Sequence, residues 1–388
     1  MFASARTHLL AAGAFAVGTS AYVIAGVLPA VSAELGVSVT AAGQLTTAFA
    51  LAYAVSAPVL ATVTARWERR RLLLVALLVS AAGNALSAVA TSYPLLLGGR
   101  IVAALGAAAY TPAATLFATA LRPPEERGRA VAIVFGGLTV ALALGVPIGS
   151  LLADGIGYRG VFALIAAVSV ATAVAVRALL PVLEGSPSVP LRERFAVAAD
   201  RRVLTVLAIT VLGVVATMSV YIYIVPLLGL TTGLAGPTIG GLLLAYGLGA
   251  IVGNAWGGRA TDRFGSMPTL LATVGGFVVL VATLPWTATA AVGAALALFA
   301  WGVFTWSFNP PVQNLLLELA PAGGLVLSLN ASAIYLGMGL AAVFGGAVIG
   351  TVGLLALPEV GAVLGLVVVG LVFALRAATR RAPALAAD

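Results

Sequence analysis

One arginine interrupts a stretch that is otherwise apolar or small, LLLGGRIVAALGAAAY at residues 95–110. A guanidinium offers five N–H donors and a fixed charge, so it can bind an anion, donate to hydroxyls or carbonyls, or pair with a carboxylate. Burying it in a bilayer costs about 2.5 to 3.5 kcal/mol on insertion scales, so Arg100 must face protein or a wet cavity. Three interpretations stay open. Arg100 braces two helices through hydroxyls such as those of Ser20 and Thr19, it binds a neutral or anionic substrate group, or it pairs with Asp154.

The chain around Arg100 has the composition of a membrane protein, because 62% of its residues are hydrophobic, 8% are charged and the mean hydropathy is +1.14. A soluble core of this size could not hide so much apolar surface. The first apolar segment is too long for a signal-peptide core and lacks a convincing cleavage site, so we expect it to be retained. Twelve apolar segments, numbered here as spans 1 to 12, are predicted at residues 8–30, 41–64, 72–91, 94–119, 128–152, 158–180, 202–228, 238–258, 267–286, 290–314, 324–351 and 356–378.

Charge placement predicts the orientation of these spans. All 20 basic residues are arginines, and all but Arg159 and Arg100 lie at the N-terminus or in alternate connections. The positive-inside rule makes those connections cytoplasmic. We therefore expect a multi-pass protein of the bacterial cytoplasmic membrane with both termini in the cytoplasm.

Missing residue types exclude several kinds of chemistry. The sequence has no Cys, one His and no Lys, which excludes disulfides, His-rich metal sites and a Walker-type ATP site. Its 12 acids all map to loops, termini or span ends, with no cluster suited to a metal. We expect no cofactor, no metal, no nucleic-acid partner and no enzymatic activity.

A polar stretch divides the chain, EGSPSVPLRERFAVAADRR at residues 184–202. The predicted domains are an N-terminal six-helix bundle at 1–183, a cytoplasmic linker at 184–201 and a C-terminal six-helix bundle at 202–388. The two halves match as parallel repeats at an offset of 197 residues, which places Arg66 on Arg263 and Pro124 on Pro321.

Motifs along essentially the whole chain resemble the major facilitator superfamily, and most closely its bacterial drug and sugar efflux permeases of the arabinose-efflux and chloramphenicol-resistance type. The motifs are GTSAYVIAGVLPAV in span 1, ARWERRR after span 2, RIVAALG in span 4, LTVALALGVPIG in span 5, GYRGVF in span 6, YIYIVPLL in span 7, GNAWGGRATDRFG in span 8 and LSLNASAIYLG in span 11. The resemblance implies an all-α membrane fold of twelve transmembrane helices in two pseudo-symmetric six-helix bundles. It also implies alternating access between the bundles.

Two stripes of small residues form the predicted helix-packing seam. Small residues at four-residue spacing let helices approach closely where lipid provides no hydrophobic drive. The stripe on span 5 resembles an antiporter signature, which implies rocking of the halves along this seam, whereas ordinary helix packing is the alternative. The seam residues are Gly145, Pro147 and Gly149 on span 5 and Gly249, Gly253 and Gly257 on span 8.

The loop after span 8 is the predicted gate. In the superfamily the equivalent loop braces the start of span 5, so we expect Asp262 to contact Arg127 or Arg129. The other half lacks this pair, with Ala65 and Gly324 at the matching positions. The complete set of predicted gate residues is Gly258, Asp262, Arg263, Gly265, Arg127 and Arg129.

Polar and aromatic side chains near the middle of the spans are candidates for binding substrate. They lie on the spans that line the cavity in this superfamily, although packing is the usual role of a single aromatic residue. The candidates are Tyr22, Arg100, Tyr223, Tyr246, Trp306, Asn309, Asn330 and Tyr335.

These observations favour secondary efflux of a small drug, sugar or nucleoside-like molecule by a monomer in the lipid bilayer, with proton antiport. The alternative is a facilitator or uptake carrier without proton coupling, because Ala21 stands where related permeases often carry a glutamate. A membrane-embedded enzyme or a sensor is less favoured, since neither clustered acids nor a soluble signalling module is present.

Overall fold

The computed structural model describes residues 2–123, 127–185, 200–319 and 323–381. This part of the chain is helical and contains no strand, which confirms the predicted all-α class. A π-helical turn, Ala141–Gly145, precedes α7, and a 3-10 turn, Leu354–Ala356, precedes α15. The helices are α1 Phe2–Tyr22, α2 Ile24–Leu35, α3 Val39–Val63, α4 Arg69–Ala88, α5 Tyr93–Ala120, α6 Arg127–Val140, α7 Val146–Leu179, α8 Arg201–Ile222, α9 Ile224–Thr232, α10 Pro237–Phe264, α11 Ser266–Thr287, α12 Ala291–Trp306, α13 Asn309–Leu319, α14 Gly323–Val352 and α15 Leu357–Arg381.

The number of bilayer crossings depends on one glycine. Ten helical segments of the described chain are long and apolar enough to cross a membrane, and α1 with α2, bent by 45°, makes an eleventh. One of the ten, Ile133–Leu179, has 47 residues. That is about 70 Å of helix, more than twice the ~30 Å hydrocarbon core. Gly157 breaks it with φ 65° and ψ 173°, and division there restores the twelve crossings that the sequence predicts.

Spans 1 and 7, which correspond in the repeat, are both broken helices. The first break lies at Val23, between α1 and α2, and the second at Tyr223, between α8 and α9. Pro226 explains the second break, because it has no N–H to donate to the carbonyl of Ile222 and is tolerated in the first turn of a new helix.

Short polar side chains start several helices. The Ser38 hydroxyl accepts from the backbone N–H of Ala41 at 3.1 Å, at the beginning of α3. The carboxylates of Glu68 and Asp200 accept backbone N–H groups at the starts of α4 and α8. Two of the twelve acids are therefore helix caps, a structural role that leaves them at span ends.

The residues divide into two compact units, Met1–Pro190 with Ala235–Leu244 and Leu191–Leu234 with Ala245–Asp388. In the first unit α5 packs against α1, α3 and α4, and α7 packs against α4. In the second unit α8 packs against α14 and α15, and α11 packs against α12 and α15. Most of the predicted linker, residues 186–199, lies outside the described residues, so the boundaries at 183 and 202 stay a prediction.

The two glycine stripes have packing partners within their own units. A Cβ atom added to Gly249 or Gly253 would meet the carbonyl oxygen of Phe299 or Val303 on α12. On span 5, a Cβ added to Gly145 would lie 2.6 Å from the Thr19 hydroxyl. Close packing of neighbouring helices therefore explains these glycines, and the proposed rocking along them stays a prediction.

The remaining seam residues follow the same pattern. A Cβ on Gly257 would lie 2.7 Å from the carbonyl oxygen of Ser307, and one on Gly149 would lie 2.5 Å from a methyl of Val23. Pro147 is the second residue after the π turn and cannot donate to the carbonyl of Ala143, which is consistent with a locally widened helix there.

Candidate functional site

Arg100 lies on α5 in the first unit and is completely buried. Its Nη1 donates to the Ser20 hydroxyl on α1 at 3.3 Å. Ser20 in turn donates to the Asn84 side-chain oxygen on α4 at 2.9 Å, and the Asn84 amide donates to the backbone carbonyl of Ser80 at 2.8 Å. The contact between Arg100 and Ser20 is thus confirmed, and it extends into a chain that joins α5, α1 and α4. The hydroxyl of Thr19, the other expected partner, is buried without a hydrogen bond in the described chain.

Two phenyl rings complete the surroundings of Arg100. Its guanidinium carbon lies 4.5 Å from the centre of the Phe49 ring on α3 and 5.5 Å from that of Phe162 on α7. Cation–π attraction of this kind contributes about 2 kcal/mol where water is excluded. The Nε and Nη2 atoms have no hydrogen-bond partner among the described residues. Asp154 does not pair with Arg100 but is exposed and lies beside Gly236, so that interpretation is wrong for this structure.

An aromatic cluster occupies the corresponding place in the second unit. Tyr246 on α10 stacks on Tyr221 of α8 with ring centres 4.5 Å apart, and both rings meet the edge or face of Trp301 on α12 at 5.0 and 6.2 Å. Trp301 Nε1 donates to the Thr217 hydroxyl on α8 at 3.1 Å, and that hydroxyl also lies 3.1 Å from the hydroxyl of Thr305. All three rings are at most 1% exposed.

The two clusters are related by the 197-residue repeat. Ser20 corresponds to Thr217, and Phe49 corresponds to Tyr246. In each unit the hydroxyl accepts a hydrogen bond from a side chain of span 4 or span 10, and the aromatic ring contacts that same side chain. The donors differ, because position 297 holds Ala and Trp301 lies one helical turn further on. The repeat offset could have identified Thr217, whereas no sequence signal marked Asn84, Phe162 or Trp301.

Two of the predicted substrate residues are occupied by structural hydrogen bonds. The Tyr223 hydroxyl donates to the carbonyl of Ala342 on α14 at 2.9 Å, and the Asn330 side-chain oxygen accepts from the Thr210 hydroxyl at 2.9 Å. Both side chains are at least 98% buried. Each of them therefore joins α8, or the break after it, to α14.

Four further predicted substrate residues differ in burial. Tyr22, Trp306 and Asn309 are half-buried, and Tyr335 is 9% exposed. Asn309 is the first residue of α13, whose first turn tolerates the two prolines that follow. The Trp306 Nε1 atom is buried and has no hydrogen-bond partner in the described chain. The substrate role of all these residues stays a prediction.

The predicted gate is described only on one side. Asp262 and Arg263 are exposed at the end of α10, where the Arg263 guanidinium lies 5.2 Å from the Phe264 ring centre. Gly265 has φ 85° and turns the chain into α11, a conformation that L side chains rarely adopt, whereas a Cβ added to Gly258 would meet nothing within 4 Å. The side chains of Arg127 and Arg129 lie outside the described part, so the contact with Asp262 stays a prediction.

Sequence comparison identifies the family of this twelve-span, two-unit helical protein. The model of the Major Facilitator Superfamily matches residues 10–342, and the chain belongs to this family. It is 34% identical over 358 residues to "Uncharacterized MFS-type transporter YbcL" of Bacillus subtilis, with 92% of each chain covered. It is 36% identical over 280 residues to "Chloramphenicol resistance protein" of Streptomyces lividans, which covers 71% of this chain and 70% of that protein.

Solved structures support the same fold. The crystal structure of D-xylose-proton symporter matches with a TM-score of 0.74 and 15% identity, covering 95% of this chain and 96% of the other. At this identity the likeness concerns the fold alone. Together with the family match, it confirms the expected resemblance, and the protein is a major facilitator transporter that crosses the membrane several times.

Proposed function

We propose that this transporter exports a small organic molecule across the bacterial cytoplasmic membrane by alternating access, in exchange for protons. The observation that carries the proposal is the 36% identity to a protein named for chloramphenicol resistance. A neutral amphenicol-like molecule with an aromatic ring is therefore the first substrate to test. Both termini are proposed to lie in the cytoplasm, which a C-terminal fluorescent or phosphatase reporter would test.

The second unit offers groups suited to an aromatic substrate. Trp306 supplies a half-buried ring and an N–H donor that no described residue accepts. A buried donor without an acceptor costs about 1 to 3 kcal/mol, and a substrate carbonyl or hydroxyl would remove that cost. In the same unit the buried rings of Tyr221, Tyr246 and Trp301 hold one another in place through their mutual contacts.

The second candidate function is a facilitator without proton coupling, and one observation favours it. No Asp or Glu of the described residues is buried, and the acids at Glu34, Asp154, Asp262 and Glu359 are exposed. A proton carrier in the membrane is expected to be an ionisable group inside the bundle. Among the described residues, proton coupling through a carboxylate would therefore use an acid at a span end.

Transport in proteoliposomes separates these functions. Labelled chloramphenicol, a sugar and a nucleoside would be tested in counterflow and with an imposed acid interior. Antiport predicts accumulation above the external concentration when the interior is acid, whereas a facilitator equilibrates at a ratio of one. Counterflow of none of these compounds would contradict the proposed substrate class.

Trp306→Phe provides a test of the proposed site. It keeps a ring but removes the N–H donor, so the loss of about 1 to 1.5 kcal/mol should raise the substrate KM about fivefold to tenfold. Trp286→Phe is the matched control, because Trp286 is 68% exposed at the end of α11. Equal KM values for the two variants would show that the Trp306 N–H does not bind substrate.

A further inference from the structure

The first unit contains a buried positive charge for which the described chain provides no counter-charge. Arg100 is 0% exposed, and its one hydrogen-bond acceptor is the neutral Ser20 hydroxyl at 3.3 Å, at the long end of the range for such bonds. Removing a guanidinium from water costs several kcal/mol, and an uncharged hydroxyl compensates only a small part of that. The Phe49 and Phe162 rings compensate a further part.

The two unpaired nitrogens define the missing partner by their geometry. Nε and Nη2 form one edge of the planar guanidinium, and their N–H bonds on that edge point in nearly the same direction. This is the edge that binds the two oxygens of a carboxylate through parallel N–H···O bonds. Nη1, the nitrogen that donates to Ser20, lies outside this edge.

We propose that the Nε–Nη2 edge of Arg100 binds one monovalent anion, with a carboxylate as the best geometric match. The anion supplies the charge that no side chain of the described chain provides. It comes either from solution, as a halide or a small carboxylate, or from a transported molecule that carries a carboxylate. The proposal concerns binding alone and does not depend on the direction or the coupling of transport.

The test is thermal unfolding of the purified full-length protein at constant ionic strength. Sodium gluconate, whose anion is too bulky for an enclosed site, would be replaced stepwise by sodium chloride, formate or acetate. At ten times the dissociation constant, an anion that binds only the folded state raises the ratio of folded to unfolded protein about elevenfold. The melting temperature should then rise by about 2 °C and the rise should saturate. A rise without saturation, or no rise with any of the three anions, would overturn the proposal.

Two substitutions of the same size at one position isolate the effect of charge. Ser20→Asp places a carboxylate beside Nη1 and so competes with an external anion for the same positive charge. Ser20→Asn has nearly the same shape without the charge. We expect Ser20→Asp to melt higher in gluconate and to lose at least tenfold in anion affinity, while Ser20→Asn keeps the wild-type response. Equal anion affinities of the two variants would overturn the proposal, because the anion would then bind independently of the charge on Arg100.

The order of the anions identifies the source. Stronger protection by formate and acetate than by chloride supports a carboxylate, including one on a substrate, whereas protection by chloride alone supports an inorganic ion at the same edge. Counterflow on the same preparations keeps the two proposals separate. Saturable anion binding without chloramphenicol transport would contradict the proposed substrate and leave the anion site intact.

Discussion

A glycine-to-alanine pair on α10 tests whether the stripe of small residues is a close helix contact. The added Cβ of Gly253→Ala would meet the Val303 carbonyl oxygen and lie 2.8 Å from that residue's Cα, whereas ordinary contacts begin near 3.4 Å. α10 and α12 must therefore separate by about 0.5 to 1 Å, which weakens dispersion contacts along their interface by a quarter to a half. Overpacking of this kind costs about 1 to 3 kcal/mol.

Gly258→Ala is the matched control, because it makes the same change on the same helix where an added Cβ meets nothing within 4 Å. Both variants gain about 0.8 to 1 kcal/mol in helix propensity, which cancels in the comparison. We therefore expect Gly253→Ala to be less stable than Gly258→Ala by about 1 to 3 kcal/mol in denaturant unfolding of the purified protein. Equal stabilities would refute the close packing at Gly253.

Three further predictions concern the gate, the aromatic cluster and coupling. Asp262→Asn should increase the inward-open population and slow transport with little change in substrate affinity. Distances between spin labels on the two cytoplasmic ends would measure that population. An unchanged distance distribution with intact transport would show that Asp262 is an ordinary surface charge. Trp301→Phe removes the bond to Thr217 and should lower stability by about 0.5 to 1.5 kcal/mol, whereas Trp256→Phe, at an exposed residue of α10, should change it less in the same unfolding assay. Because no described acid is buried, efflux should depend less steeply on the proton gradient than in relatives with a helix 1 glutamate, and one-to-one proton countermovement would contradict this.

The sequence alone determined the membrane class, the number of spans and the place of Arg100 within an apolar span. An apolar run of about 20 residues must cross the bilayer because its backbone groups can be satisfied there only as a helix, whatever its neighbours are. The repeat and the family motifs follow from the same linear information. The structure agrees with these predictions, except that spans 5 and 6 form one long helical segment broken at Gly157.

Only the tertiary structure decided which side chains meet. Asn84 meets Ser20, and Phe162 meets the Arg100 guanidinium, because of the faces that α4 and α7 present; rotating either helix by one residue, about 100°, would present other side chains. The same reason explains why Trp301, one turn beyond the position equivalent to Arg100, donates to Thr217. Likewise the spacing of Gly249 and Gly253 predicts that another helix packs closely against α10, but only the packing of the second unit shows that this helix is α12. Apolar sequence specifies that a helix lies in the membrane, whereas its rotation and neighbours depend on contacts distributed over the whole bundle.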